Sequence, residues 1–471
     1  MCSQTPAGQE WISFYVLYRL LWEWAHEVKV QSFKVMLVGL LLSGSGFVCL
    51  PAQAANIVTQ LTSDPGWNSF SPSLSADGTK VAFDSNANLT GGNADNSFDI
   101  FVLGTDGTGI TQLTSDPVVH SRRPSLSADG SKVAFYSEAD HTGGNPDGSD
   151  ELFVVNADGT GIVQLTSDPV WYPTFFPFPS LSADGSKVAF SSPEDLSGGN
   201  PGKLNGLFVI STDGTGLVQL TSAGVGAYLS LSADGSKVAF ESSADLTGGN
   251  PDGSYEIFVI NTDGTGLVQL SNDPVGGGNT ISFPSLSADG SKVAFESGAD
   301  LTGGNADNSG EIFVMNTDGT GLVQLTSAPG RDSRYPSLSA DGTKVAFSSS
   351  ADLTGGNPAG LNSMFLMNTD GTGLVQLTSV QLWLTSGPSL SADGTKVAFS
   401  SSADLTGDNQ DNSVEIFLIN VGLPPLPPGI SADGSSPCIG SFIRRDNPHS
   451  MWGLAVLPLM LLAVRVARRK A

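Results

Sequence analysis

Cysteine is almost absent. The 471 residues hold three, Cys2, Cys49 and Cys438, and none lies in the repeated part of the chain. A disulfide framework and a cysteine-based metal site are therefore excluded. Histidine is equally scarce, with only His120 and His141 inside the repeats. Two histidines in one sector do not form a histidine metal cluster. Basic residues are also few. Between 55 and 430 there are 12 Lys and Arg against 41 Asp and Glu, a balance of −29. Nucleic acid and other polyanions would be repelled by such a surface. No Gly-x-Ser-x-Gly segment occurs, so nothing marks a serine-hydrolase elbow.

What the chain has is repetition. Ser-Ala-Asp-Gly, Lys-Val-Ala-Phe, a Gly-Gly-Asn loop, an Ile-Phe-Val-like segment and Asp-Gly-Thr-Gly-Leu-Val-Gln-Leu-Thr recur with small changes. The first signal places an aspartate at Asp77, Asp129, Asp184, Asp234, Asp289, Asp341 and Asp393. A spacing of 50–55 residues signifies a solenoid, propeller or array. In the fourth copy the pattern predicts strands at 229–232, 237–242, 256–261 and 267–271. Asp-Gly between extended runs marks the hairpins. The third strand, Ile257-Phe258-Val259-Ile260, is apolar on both faces, as expected of a sheet covered on both sides.

Four antiparallel strands per copy make a propeller blade. The seventh copy stops at Asn420, without its last turn and strand. The missing strand stands at 57–62, as Ile-Val-Thr-Gln-Leu-Thr. The expectation is an all-β, seven-bladed propeller over 55–420, closed by strand 57–62 in the last blade. The Ser-Ala-Asp-Gly-x-Lys-Val-Ala-Phe, Asp-Gly-Thr and Gln-Leu-Thr segments resemble the PD40 repeats of TolB-like propellers. That resemblance implies the fold over about 57–420 and carries no particular activity.

Both ends read as addresses. Lys34, the apolar run 35–50 and Pro-Ala-Gln-Ala-Ala at 51–55 predict a secretory signal over 1–54 with cleavage near Ala54. The stretch before Lys34 is long for such a signal, and translation starting further in would explain it. A Pro-, Gly- and Ser-containing linker spans 421–437. Cys438, the apolar stretch 451–464 and the terminal Arg465, Arg468, Arg469 and Lys470 follow. Segment 438–471 resembles exosortase- or rhombosortase-type sorting signals, which makes Cys438 the implied processing point. Read as a plain membrane tail instead, the apolar stretch is short of the roughly 20 residues a span needs. Either reading places the repeats outside a bacterial cytoplasm, in the periplasm, on the outer membrane or at the cell surface. Membrane contact through the tail is expected before processing, and the propeller is expected to be monomeric.

Candidate sites fall on the face opposite the Asp-Gly turns, where the connections between blades vary. Trp171, Tyr172, Phe175, Phe176, Arg122, Arg123, Arg331, Arg334, Tyr335 and Trp383 lie there, with Trp67, Phe70, Phe178, Tyr228 and Phe283. Aromatic residues and arginine are enriched at binding hot spots. The competing reading is that these rings plug the channel. A second pattern is Asn-x-Asp-x-Ser-x-Glu, at Asn250, Asp252, Ser254 and Glu256 and again at Asn145, Asp147, Ser149 and Glu151. Alternating oxygens in a glycine-rich turn suit calcium, although four side chains fall short of six to eight ligands. An Asx turn closed by its own hydrogen bonds explains the same pattern. Asp150 and Glu151 are expected to be ordinary solvated carboxylates.

The function expected first is a non-catalytic envelope scaffold that binds an envelope protein or an extracellular glycan, with no cofactor. Two alternatives stand beside it: an extracellular polysaccharide lyase or hydrolase, and a calcium-stiffened surface layer.

Overall fold

The computed structural model describes residues 56–167, 178–199, 202, 204–222, 224–273, 281–379 and 387–422. The predicted signal with Ala54, the linker and the segment with Cys438 lie outside them. Among the described residues no helix is long and apolar enough to cross a membrane. The described residues all fall within the unit 54–423.

Among the described residues twenty-eight strands form seven four-stranded antiparallel sheets arranged as the blades of a ring. Each blade runs from an innermost to an outermost strand. Blade four is Val225–Leu231, Lys237–Ser242, Glu256–Asn261 and Val268–Gln269. The inner strand starts earlier than the sequence pattern suggests, and the outer one is shorter. Blade seven is closed by the chain's first strand, Ile57–Gln60, with Ile57 opposite Asn420 and Gln60 opposite Phe417. This is the expected closure, two residues shorter than 57–62. The borrowed strand reproduces the local chemistry of the other blades. Thr406 donates to the Gln60 side chain at 2.9 Å, as Thr142 does to Gln164 at 2.8 Å in blade two.

The core lies between blades. In blade four, Ile257 and Val259 pack towards blade five, while Phe258 and Ile260 pack towards blade three. Each of the seven blade–blade boundaries has its own buried apolar cluster. A two-sided third strand is thus the residue-level requirement for stacking blades.

Three polar contacts staple each blade to the next and explain the invariant residues. The Ala76 amide donates to the Ala128 carbonyl at 2.8 Å, and the contact returns around the ring as Ala392 to Ala76 at 2.8 Å. Lys80 Nζ donates to the Gly130 carbonyl at 2.9 Å. Ser73 Oγ accepts the Leu126 amide at 3.0 Å. The Ser-Ala-Asp-Gly-x-Lys and Pro-Ser-Leu segments are therefore scaffold, and function is left to the opposite face.

Candidate functional site at the channel mouth

On that opposite face the residue before Pro-Ser-Leu, or before Leu-Ser-Leu in blade four, lies within or just ahead of each inner strand. Around the ring this position holds Ser71, Arg123, Phe178, Tyr228, Phe283, Tyr335 and Gly387. In blades one, two, four, five and six the register of the inner strand shifts beside it. Ser71, Arg123, Phe283 and Tyr335 take φ of +52°, +59°, +57° and +58°. Positive φ is costly for a bulky side chain, and bulges commonly re-aim side chains next to functional sites. Ser71, Phe178, Tyr228, Phe283, Tyr335 and Gly387 border an axial cavity of about 300 Å³, with the Pro-Ser rungs below them.

Blades three to six form an aromatic wall. Phe178 lies 5.3 Å from Tyr228, Tyr228 lies 3.9 Å from Phe283, and Phe283 lies 4.6 Å from Tyr335, between ring centroids. Blades seven and one carry Gly387 and Ser71 at the same position. A Cβ on Gly387 would sit 3.2 Å from Tyr335 Cβ, so its lack of a side chain gives Tyr335 room. Blade two carries the charge. The Arg123 guanidinium stands 4.5 Å from the centre of the Phe178 ring. Arg122 stands 4.6 Å over Phe98, and its buried Nε has no hydrogen-bond acceptor.

Carboxylates underlie this ring, at the position directly after Val-Ala-Phe: Asp84, Glu241 and Glu296, all buried. They take up the amides that the bulges free. Asp84 accepts from the Arg123 amide at 3.3 Å and Glu296 from the Tyr335 amide at 2.9 Å. Glu241 accepts from the Ala227 amide at 3.1 Å and from the Ser282 hydroxyl. Gly226 admits Glu241, whose Oε1 lies 2.1 Å from where a Cβ would stand. Burial pushes Asp84 above the usual carboxylate range, and pushes Glu241 and Glu296 up to about 7. Sequence reasoning missed these three. Their signal was variation within a constant strand, since the same position reads Tyr136, Ser191, Ser348 and Ser400 elsewhere.

Asp150 and Glu151 differ from expectation. Glu151 is buried and Asp150 half-buried, and desolvation raises both to about 7. Asp150 also feels repulsion from Glu138, partly offset by Arg123 and Arg122. It is a titrating group beside two guanidiniums, not a solvated turn residue. Glu151 belongs to a structural set. It accepts from the Thr166 and Ser149 hydroxyls, as Glu256 accepts from Ser271 at 2.5 Å and from Ser254 at 3.0 Å.

The Asn-x-Asp-x-Ser loops close on themselves. Asn250 Nδ2 donates to the Ser254 carbonyl at 2.7 Å, and Ser254 Oγ lies 2.9 Å from Asp252. Asn145, Asp147 and Ser149 repeat that arrangement, with Asn145 donating to the Ser149 carbonyl at 2.7 Å. Among the described residues no three His, Cys, Asp or Glu side chains gather as a metal site.

Arg331 reaches outward to the Gly360 carbonyl at 3.4 Å, and Arg334 pairs with Asp332 at 2.8 Å on the surface. Of the expected partner-binding residues, Tyr335 lines the cavity, Arg123 covers the Phe178 ring at the cavity's edge, and Arg122 lies over Phe98 beside blade one. Trp171, Tyr172, Phe175, Phe176 and Trp383 lie outside the described residues.

No protein-family model matches the chain, and no curated protein matches it. Solved structures do. An oligogalacturonate lyase from Vibrio parahaemolyticus is 16% identical, with 79% of this chain and 99% of that one covered at a TM-score of 0.52. An oligogalacturonate lyase in complex with manganese is 16% identical, covering 79% and 94% at a TM-score of 0.53. A putative TolB from Agrobacterium tumefaciens is 17% identical, covering 59% and 89% at a TM-score of 0.38. At such identities the likeness is one of fold. The described residues offer no ligand set for the manganese of the second neighbour, and no step is derived through a metal. The expectation of a non-catalytic scaffold is corrected all the same. Two propellers matched over nearly their whole length are lyases, and burial raises Asp150 in blade two and Glu241 in blade four to about 7.

Proposed function

We propose that this propeller is a glycan-cleaving enzyme of the lyase type, acting on a uronate-containing oligosaccharide at the channel mouth. The observation that carries this reading is the blade-two cluster. There a carboxyl held at about 7, Asp150, lies within electrostatic reach of Arg122 and Arg123, and Arg122 has a buried donor to spare.

The chemistry follows from these groups. Guanidinium binds carboxylate through paired donors, so Arg122 and Arg123 hold the sugar's C6 carboxylate. Their charge also acidifies the neighbouring C5–H and stabilises negative charge developing on the carboxylate. Asp150 takes the C5 proton. The C5–H electron pair becomes the C4–C5 double bond, the C4–O bond breaks, and the leaving oxygen takes a proton from solvent. A base works best with a pKa near the working pH, and burial brings Asp150 to that range. Export to the bacterial envelope belongs to the same reading and rests on the terminal segments of the sequence. A polymeric extracellular substrate suits an enzyme outside the cytoplasm.

Asp150→Asn tests the reaction. Turnover, followed as the ultraviolet-absorbing unsaturated product, should fall about 10²–10⁴-fold, the usual worth of a general base. The rise of kcat/KM through about pH 7 in the parent should vanish with it. A variant that keeps the parent's rate and pH profile removes Asp150 from the chemistry. Saturated products from the parent would replace elimination with hydrolysis.

A further inference from the structure

We infer that the aromatic wall is a second sugar subsite that selects an uncharged unit, so that the substrate is a mixed glycan with a uronate beside neutral sugars rather than a chain of uronates alone. This rests on the reading above for the position of the uronate. Three observations carry it.

The wall is continuous with the arginine site. Phe178, its first ring, is the one Arg123 covers, and Tyr228, Phe283 and Tyr335 extend from it across blades four to six. A sugar chain leaving the guanidiniums therefore runs along aromatic surface. Partly exposed rings beside a few placed polar groups are the usual lining of a ligand cleft.

The wall is held at a cost. Phe283 and Tyr335 sit at positive φ, where aromatic residues are rare. Simple plugging of a channel does not require that backbone, since the unstrained Tyr228 fills the same position in blade four. Ser71 and Arg123 share that backbone, so the strain belongs to the bulge, which in blades five and six turns an aromatic side chain towards the mouth.

The third observation is charge. Arginines occupy the blade-two end of the wall, and Glu241 and Glu296 lie beneath its far end. A sugar carboxylate stacked over Tyr228 and Tyr335 would meet two carboxyl groups, and the cation beside Glu296, Arg334, is already paired with Asp332 at 2.8 Å. It would have to repel them or force their protonation. A neutral pyranose has no such cost, and its C–H face stacks on the rings.

The test is calorimetric, with the full chain and three probes: trigalacturonate, xylotriose and a xylo-oligosaccharide bearing one glucuronic acid. The mixed probe should bind at least about tenfold more tightly than either other probe, a gap of about 1.4 kcal/mol. In Tyr228→Ala the ratio of mixed to trigalacturonate affinity should fall to about one. Phe283→Gly should do the same, and it keeps the fold because glycine accepts the positive φ. Trigalacturonate binding as tightly as the mixed probe overturns the inference, as does a ratio untouched by both variants. Turnover is read separately. A mixed probe that binds with this selectivity and is not cleaved supports the subsite and sinks the elimination reaction. Cleavage of trigalacturonate with the higher kcat/KM does the reverse.

Discussion

At the scale of single residues, one site has the form of a hydrolytic triad without its accessibility. His141 Nε2 lies 3.0 Å from Ser137 Oγ, and its Nδ1 lies 2.7 Å from Asp116. Ser137 is fully buried, and its oxygen also accepts the Ala139 amide at 3.0 Å and meets Ser121 Oγ at 2.9 Å. Six other copies have leucine where His141 stands: Leu89, Leu196, Leu246, Leu301, Leu353 and Leu405. The imidazole packs edge-on against Phe153 with centroids 5.0 Å apart, in leucine's place. Burial holds its pKa below the usual value. His141→Leu should therefore leave thermal stability unchanged or raise it slightly, because leucine fills this place in six other copies and the carboxyl left behind, Asp116, reaches the surface. A melting temperature lowered by many degrees would show that the pair, not the packing, holds this loop. A serine-directed phosphonate should leave Ser137 unlabelled in the folded protein.

Single residues were also the least legible scale in the sequence. Arg122, Arg123 and Tyr335 stood out as rare types on a variable connection, and of these Tyr335 lines the cavity while Arg123 covers its neighbour Phe178. Asp84, Glu241 and Glu296 did not. In a strand viewed alone they read as ordinary polar positions, and only ring closure brings a neighbouring blade's bulge over them.

Strands and turns were far more legible. An Asp-Gly hairpin and a two-sided Ile-Phe-Val-Ile run state their structure locally, and an incomplete last copy states where its missing strand must come from. The inner-strand bulges were hidden, because Arg-Arg-Pro-Ser or Ser-Phe-Pro-Ser shows no glycine to mark positive φ. The closure carries the prediction at this scale. Deleting 56–61 removes the partner of Glu415–Asn420. It exposes the backbone edge of Phe417 and Ile419, which are apolar and otherwise buried. An open apolar edge pairs with other chains. Light scattering should show aggregation, and the melting temperature should fall by many degrees. A deletion that stays monomeric and melts like the parent would mean the borrowed strand contributes little to blade seven.

For the whole molecule the acids divide into two groups with opposite effects on stability. The turn aspartates Asp77, Asp184, Asp289 and Asp341 are held below their ordinary pKa, first by a serine hydroxyl and then by turn donors. Their stabilisation is present above about pH 4, the unfolded value, and is lost as pH falls through the lower folded value. The interior acids Asp99, Asp150, Glu151, Glu241 and Glu296 are raised by burial to about 7. The folded state holds their protons more tightly. Their contribution is full below about pH 4 and is lost as pH rises towards and through 7. The two sets together place maximal stability at about pH 4–5, with a fall towards pH 8. The repeat region's charge of −29 pulls the same way through self-repulsion, but that repulsion is screened at about 1 M salt, where the Debye length is about 3 Å. Melting curves from pH 3 to 9 in low and high salt separate the two effects. The decline above pH 5 should persist in 1 M salt, and Glu241→Gln with Glu296→Gln should flatten it, since an amide accepts the same backbone hydrogens without ionising. A decline abolished by salt alone would mean that the interior carboxylates ionise at no cost to the fold. Their place beneath the channel mouth would then be one of surface charge.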